Sequence, residues 1–72
     1  MNLSEAKPGT EACIDHIGGD VRLLTRLASM GMSPGASVKI VRNDRRRPVL
    51  LFGRDTLLAI SRKDATLVEV IQ

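Results

Sequence analysis

Ten residues near the middle of the chain read Arg26-Leu27-Ala28-Ser29-Met30-Gly31-Met32-Ser33-Pro34-Gly35. They predict the last turn of a helix, a stop, a sharp bend and the entry to a strand. Gly31 stands where a left-handed residue usually ends a helix, and glycine takes positive φ without a Cβ clash. Met30 and Met32 flank it, so an apolar residue just beyond the helix can fold back onto the last turn.

A second reversal follows at once. Ser33-Pro34-Gly35-Ala36 fits a type II turn, with Pro34 at the second position and Gly35 at the third. Two reversals within a few residues send the chain from helix into strand. We therefore expect a helix immediately before this corner and a series of strands after it.

The helix is predicted to run from Val21 to Met30, with Asp20 as its N-cap because a carboxylate can accept from the first free amides. Leu23 and Met30 are expected beside the buried stripe, partly exposed. The stripe itself follows spacings of three and four and consists of Val21, Leu24, Leu27 and Ala28.

Five strands are predicted, because apolar residues recur with a period of two in most of the remaining chain. On the first strand Ala12 and Ile14 share one face, and Cys13, Asp15 and Ile17 share the other. The predicted strands cover residues 11–17, 37–43, 49–52, 56–61 and 67–71.

The third predicted strand is apolar on both faces and is expected to be covered on both. A single helical turn is expected at residues 62–65, and Leu3 is expected to anchor a short N-terminal arm. Short strands separated by frequent turns predict a mainly β fold, a small five-stranded barrel with one short α-helix between the first two strands. A barrel would also remove exposed sheet edges.

The composition limits the protein to one small domain. A chain of 72 residues buries only about 60% of its unfolded surface, so one core must use most of the apolar residues. With 43% hydrophobic and 26% charged residues, the chain is too apolar to be disordered and too polar to be a membrane span. The single cysteine permits no internal disulfide and suits the cytoplasm, and no signal peptide is visible.

Metal binding is not expected. Cys13 and His16 are the soft candidate ligands, but residues three apart on a regular strand point to opposite faces, so one ion would need a bulge to reach both. The three methionines suit Cu(I) rather than Fe(II) and are more typical of core packing or partner contact. The prediction is therefore no metal and no cofactor.

Catalysis is not expected either. The spacing of Cys13 and His16 gives no nucleophile and base pair, and Gly18-Gly19 lacks the lysine and spacing of a nucleotide-binding loop. The acidic residues Asp44, Asp55 and Asp64 lie in predicted turns, where aspartate is favoured by local backbone bonding.

The strongest charge feature is Arg45-Arg46-Arg47. Three interpretations stay open: a solvated hairpin tip, a contact to an acidic protein or lipid headgroup, and a phosphate-binding patch for nucleic acid. Nucleic acid is the least favoured, because Phe52 is the sole aromatic residue and the net charge is a modest +3.

Protein binding remains as the favoured function. The apolar corner has a backbone set by two turns, and an exposed methionine or leucine there would offer an adaptable anchor beside Arg26. The alternative is that the methionines are buried in the core. The candidate partner-binding residues are Leu23, Arg26, Leu27, Met30 and Met32, and the residues that set the turns are Gly31, Pro34 and Gly35.

The chain resembles the FeoA family over about residues 3 to 71. The resemblance lies in Pro8-Gly9, in the corner from Arg26 to Gly35, in Gly53 before Leu57-Leu58-Ala59-Ile60, in Arg62 to Ala65 and in Val68-Glu69-Val70. It implies an SH3-like barrel in the cytoplasm that accompanies FeoB, a membrane ferrous iron transporter with a cytosolic GTP-binding domain. The segment from Asp44 to Pro48 departs from the pattern, because it holds three arginines and no glycine.

The function implied by the resemblance is binding to the cytosolic part of a FeoB-type transporter in support of ferrous iron uptake. The same domain also resembles the C-terminal module of metal-dependent repressors of the DtxR type. The alternative is therefore a free-standing regulatory or nucleic-acid-binding barrel. A module that binds a proline-rich peptide is a third possibility, disfavoured by the scarcity of aromatic residues.

Overall fold

The computed structural model describes residues 1–19 and 21–72, so the predicted N-cap Asp20 lies outside the described residues. Its elements agree with the sequence prediction to within one residue at each end. The helices are α1 (Val21–Ser29) and the short α2 (Arg62–Ala65), and a 3₁₀ turn at Leu3–Glu5 precedes them. The strands are β1 (Glu11–Ile17), β2 (Ser37–Arg42), β3 (Val49–Gly53), β4 (Thr56–Ile60) and β5 (Val68–Ile71).

The five strands form one antiparallel sheet in the order β4-β3-β2-β1-β5. The mainly β architecture with one helix between β1 and β2 is thus confirmed. The expectation that no sheet edge remains is wrong, because the hydrogen-bonded ladder ends at β4 on one side and at β5 on the other. A strongly twisted small sheet can curl around its core without pairing its outer strands.

One core fills the inside of the curled sheet. The buried residues form a single cluster, to which every strand and both helices contribute. Leu3 is fully buried in it, which confirms its predicted role as an anchor. The largest fully buried side chains are Leu3, Ile14, Leu27, Met32, Ile40, Leu51 and Ile60.

A bulge changes the predicted face of Ile17. The register of the β1–β5 pairing shifts between Ile14 and His16, so two residues of β1 point outwards in succession. Ile17 therefore returns to the core face with Ala12 and Ile14 and is buried. Its predicted place beside Cys13 is wrong, because a regular alternation does not continue through a bulge.

The third strand is covered on one face rather than two. Val49, Leu51 and Gly53 are buried, whereas Phe52 keeps 43% of its surface exposed. The prediction of two covered faces is wrong, because the single core lies on one side of the sheet and the chain has no further layer for the other side among its described residues.

The buried face of α1 also differs from the prediction. Leu23 and Leu27, four residues apart, are buried. Val21 and Leu24 are 77% and 39% exposed, and Ala28 is exposed as well. The predicted stripe is therefore wrong at these three positions, and so is the partial exposure predicted for Leu23. The helix is turned so that Leu27 meets the residues that follow the helix.

Candidate functional site

Two hydrogen bonds cap the C-terminal end of α1. The Met32 amide donates to the Leu27 carbonyl at 2.8 Å, and the Gly31 amide donates to the Ala28 carbonyl at 3.0 Å. Gly31 has φ +77°. These two bonds around a left-handed residue define a Schellman motif, and the two residues that usually make its apolar contact, Met32 and Leu27, are both fully buried in the core. The predicted role of Gly31 is confirmed.

The second reversal is also present. The Ala36 amide donates to the Ser33 carbonyl at 3.0 Å, and Gly35 has φ +96°, as the third position of a type II turn requires. The turn is tied to β1, since the Gly35 amide donates to the Ile14 carbonyl at 2.7 Å. The Ile14 amide in turn donates to the Ala36 carbonyl at 2.9 Å. The backbone of the corner is therefore fixed at both ends.

The structure divides the five predicted partner-binding residues into two groups. Leu23, Leu27 and Met32 are buried, so their side chains belong to the core and present no surface to a partner. Arg26 is exposed and Met30 is half-buried against the core. A role of Arg26 and Met30 in partner binding stays a prediction.

Three exposed apolar residues of α1 contradict the predicted buried stripe. Val21 and Leu24 lie three residues apart and face outwards, and Ala28 continues the same flank. Arg26 lies on the opposite flank of the helix, because it is displaced by 160° from Leu24 at 100° per residue. One flank of α1 is thus apolar and the other is basic.

Two arginines connect the corner region to the β3–β4 hairpin. The Arg26 Nη2 atom donates to the Ala59 carbonyl at 3.0 Å. The Arg54 side chain lies over Gly31, close enough that a Cβ on Gly31 would stand 3.0 Å from its Nε atom. The hairpin turn itself is made by Arg54 and Asp55, both with positive φ, which is the type I′ geometry that matches strand twist.

A cleft of about 360 Å³ opens between α1 and α2. Among the described residues, three basic side chains, one acidic side chain and two leucines line it. The lining residues are Arg22, Leu23, Arg26, Lys63, Asp64 and Leu67. A second cleft, of about 470 Å³, lies on the corner itself between the Ser33–Gly35 turn and Arg54.

The loop between β2 and β3 presents its three arginines to solvent. Arg45, Arg46 and Arg47 are all exposed, and the loop is closed by a bond from the Arg47 amide to the Asp44 carbonyl at 3.1 Å. This geometry is compatible with each of the three interpretations considered for the arginines, so a contact role stays a prediction.

Arg62 anchors this loop. Its Nη1 atom donates to Asn43 Oδ1 at 2.7 Å and to the carbonyls of Asp44 and Arg47 at 2.8 and 3.2 Å. Its Nη2 atom donates to the Ser4 carbonyl at 3.0 Å. Sequence reasoning missed this role, because the acceptors are mostly main-chain oxygens of distant segments and leave no residue pattern.

The bulge in β1 brings Cys13 and His16 to the exposed side of the strand, the one arrangement in which both could reach a shared ion. Within residues 1–19 and 21–72, however, no group of three His, Cys, Asp or Glu side chains is arranged to hold a metal ion. The helices in those same ranges are too short or too polar to cross a bilayer.

Comparison with known proteins places these features in a family. The FeoA domain model matches residues 1–72. An iron uptake regulatory protein, FeoA, is 28% identical, with a TM-score of 0.87 over 97% of this chain and 93% of the other. The FeoA of Stenotrophomonas maltophilia, a prokaryotic SH3 domain protein solved as a zinc complex, is 25% identical, with a TM-score of 0.82 over 99% of this chain and 89% of the other.

A third similarity extends to a larger protein. IdeR from T. acidophilum shares the fold, with 22% identity and a TM-score of 0.83 over 97% of this chain but only 32% of the other. No curated protein sequence matches the chain. The predicted SH3-like barrel is confirmed by the FeoA structures, and the match over residues 1–72 shows that the chain belongs to the FeoA family.

Proposed function

We propose that this protein is a cytoplasmic accessory factor of ferrous iron uptake, which acts by binding the cytosolic part of a FeoB-type membrane transporter and carries out no chemistry of its own. Membership of the FeoA family supports the link to iron uptake. The observation that carries the docking hypothesis is the exposed apolar flank of α1, held in place by a rigid corner.

The docking surface of this proposal is the apolar flank of α1, with Val21 and Leu24 as its anchors. Arg26 lies on the opposite flank of the helix and is not part of this surface. Val21, Leu24 and Ala28 are exposed on this helix, whereas Leu23 and Leu27 are buried. Helices that present apolar anchors at spacings of three and four commonly bind in a groove of the partner. The Schellman motif and the type II turn hold the end of this helix, so little ordering of the backbone is required on binding.

Co-purification from membranes tests the proposal. The protein is expected to associate with a FeoB-type transporter at micromolar concentration, and Leu24→Glu is expected to weaken the association at least about tenfold because a buried carboxylate is costly at an apolar contact. Val41→Glu is the matched control, since Val41 is 44% exposed and Leu24 39% exposed, and Val41 belongs to β2 rather than to α1. Lack of association with and without guanine nucleotide would overturn the proposal.

A second function has one specific observation in its favour. The exposed Arg45, Arg46 and Arg47 lie on an anchored loop, and the fold occurs in IdeR as part of a longer chain. A regulatory or nucleic-acid-binding barrel would shift a DNA duplex in a gel with steep salt dependence, and Arg46→Ala together with Arg47→Ala would abolish the shift. A shift that does not respond to these substitutions would exclude the loop as the binding site.

A further inference from the structure

The two edge strands of the sheet differ in whether another segment of the chain pairs with them. At the β5 edge the Val70 amide donates to the Met1 carbonyl at 2.8 Å, and Asn2 forms an isolated bridge with Glu69. The N-terminal segment therefore covers this edge. At the β4 edge no further strand pairs with residues 56–60 in the part of the chain that the structure describes.

The hairpin geometry shows which main-chain groups of β4 face the open edge. The two-residue type I′ turn makes Gly53 and Thr56 a hydrogen-bonded pair, and bonded and non-bonded pairs then alternate along the ladder. Leu57 and Ala59 belong to the non-bonded pairs, opposite Phe52 and Leu50. Their N–H and C=O groups consequently point away from β3 and towards the open edge.

Arg26 gives independent support for this assignment. Its guanidinium donates to the Ala59 carbonyl at 3.0 Å from the side that β3 does not occupy. A charged side chain laid on an edge strand is a common protection against pairing with other chains. The contact involves one of four outward-facing groups, and the three others are the Ala59 amide and the amide and carbonyl of Leu57.

The surroundings of the edge indicate what kind of strand fits there. Leu57 is 60% exposed and stands beside Phe52, which pairs with it and is 43% exposed, so the outer face of this hairpin is apolar. Arg26 also lines the cleft between α1 and α2, together with Arg22 and Lys63, and Asp64 is the one carboxylate among the described residues of that lining. An apolar face and a basic cleft therefore adjoin the same edge.

We propose that the β4 edge is a strand-addition site for an extended acidic segment of a partner protein. The segment pairs with Leu57 and Ala59 through main-chain bonds, and its apolar side chains contact Leu57 and Phe52. One of its carboxylates forms an ion pair with the guanidinium of Arg26. The Ala59 carbonyl, to which Arg26 now donates, is then free to accept an N–H of the segment. A second copy of this chain fits less well, because it would bring its own basic cleft to the same edge.

Backbone-resolved NMR on the ¹⁵N-labelled protein provides the test, with two capped heptapeptides of alternating valine and threonine. One peptide carries glutamate at both ends, and the other carries lysine. The glutamate peptide is expected to shift the Leu57 and Ala59 amides and to slow their hydrogen exchange. The lysine peptide is expected to bind at least about tenfold more weakly, because of like-charge repulsion at the cleft.

Four variants separate the contributions. Ala59→Pro removes an outward amide without removing a bond to β3 and is expected to abolish binding. Leu57→Lys, which leaves the ladder intact, is expected to weaken binding as well. Arg26→Gln is expected to lower the affinity for the glutamate peptide about fivefold to tenfold. Arg46→Gln removes the same charge from the β2–β3 loop and is expected to leave the affinity unchanged.

The proposal is overturned if neither peptide shifts the Leu57 and Ala59 amides at millimolar concentration, or if both peptides bind equally. A dimer in sedimentation that Ala59→Pro dissociates would assign the edge to a second copy instead. This site is separable from the transporter-docking proposal, because Arg26 lies on the flank of α1 opposite the apolar docking surface. Leu24→Glu should leave peptide binding intact, so failure of one proposal does not entail failure of the other.

Discussion

Gly31 combines two constraints that other residue types do not satisfy together. Its φ of +77° lies in the left-handed region, and its Cα faces the side chain of Arg54. An added Cβ would stand 3.0 Å from Nε and 3.1 Å from Cγ of Arg54. Because Arg54 is exposed and flexible, its side chain can move aside, so the backbone conformation is the larger of the two constraints.

We therefore predict that Gly31→Val lowers the free energy of unfolding by more than about 2 kcal/mol, since a β-branched residue strongly resists positive φ. Gly31→Ala should cost roughly 1–2 kcal/mol. Thermal and urea unfolding measure both values. Ala28→Val, on an exposed helical position with ordinary φ, is the control and should cost less than about 1 kcal/mol. A Gly31→Val protein that melts like the parent would contradict the assigned cap.

At the scale of the element, α1 illustrates how a short helix chooses its buried face. Leu23 and Leu27 point inwards, and Val21 and Leu24 point outwards, although both pairs have helical spacing. The Schellman motif decides between them, because it folds Met32 back onto Leu27 and so directs that side of the helix towards the sheet. The orientation of α1 thus follows from its C-terminal cap.

A matched pair of substitutions tests this orientation. Leu27→Ala should reduce the free energy of unfolding by about 2–5 kcal/mol, since it empties a fully buried site. Leu24→Ala, which removes the same atoms three residues earlier from a position 39% exposed, should cost less than about 1 kcal/mol. Chemical denaturation of both variants gives the comparison, and similar losses at the two positions would argue against the observed helix face.

The elements themselves were predictable, because their signals are local. The corner has glycine and proline at positions that few other residues can occupy, and both of its turns are present as predicted. The face of Ile17 was not predictable, since the bulge in β1 depends on pairing with β5, which is more than fifty residues away in the chain. The buried face of α1 was not predictable for a similar reason. Leu23 with Leu27 and Val21 with Leu24 both have helical spacing, and the packing of the helix on the rest of the fold decides between them.

At the scale of the whole molecule, Arg62 joins three separate parts of the chain. Its guanidinium binds the N-terminal segment at the Ser4 carbonyl and the β2–β3 loop at Asn43, Asp44 and Arg47. Asn43 extends the network, since its Nδ2 atom donates to the carbonyls of Ser4 and Ala6 at 3.0 and 2.7 Å. The role of Arg62 could not be predicted from the sequence, because an arginine that binds main-chain oxygens and an arginine that only faces solvent are the same letter in a sequence.

Loss of this network should affect the fold as a whole. Arg62→Ala is predicted to lower the free energy of unfolding by about 2–3 kcal/mol, because several charge-assisted bonds to main-chain oxygens are removed together. Arg62→Lys should recover little of the loss, since an ammonium cannot reach four acceptors in a fork geometry. Lys63→Ala, at an exposed neighbouring position, should change stability by less than about 0.5 kcal/mol in the same calorimetric measurement.

Arg62 donates to the main-chain oxygens of residues 44 and 47 and not to the side chains between them. The conformation of the loop therefore does not depend on which side chains stand at positions 45 and 46. A fluorophore attached there, or an epitope of a few residues grafted in their place, should be displayed without perturbing the barrel. The same independence means that charge at this tip can diverge among homologues under selection for a ligand alone.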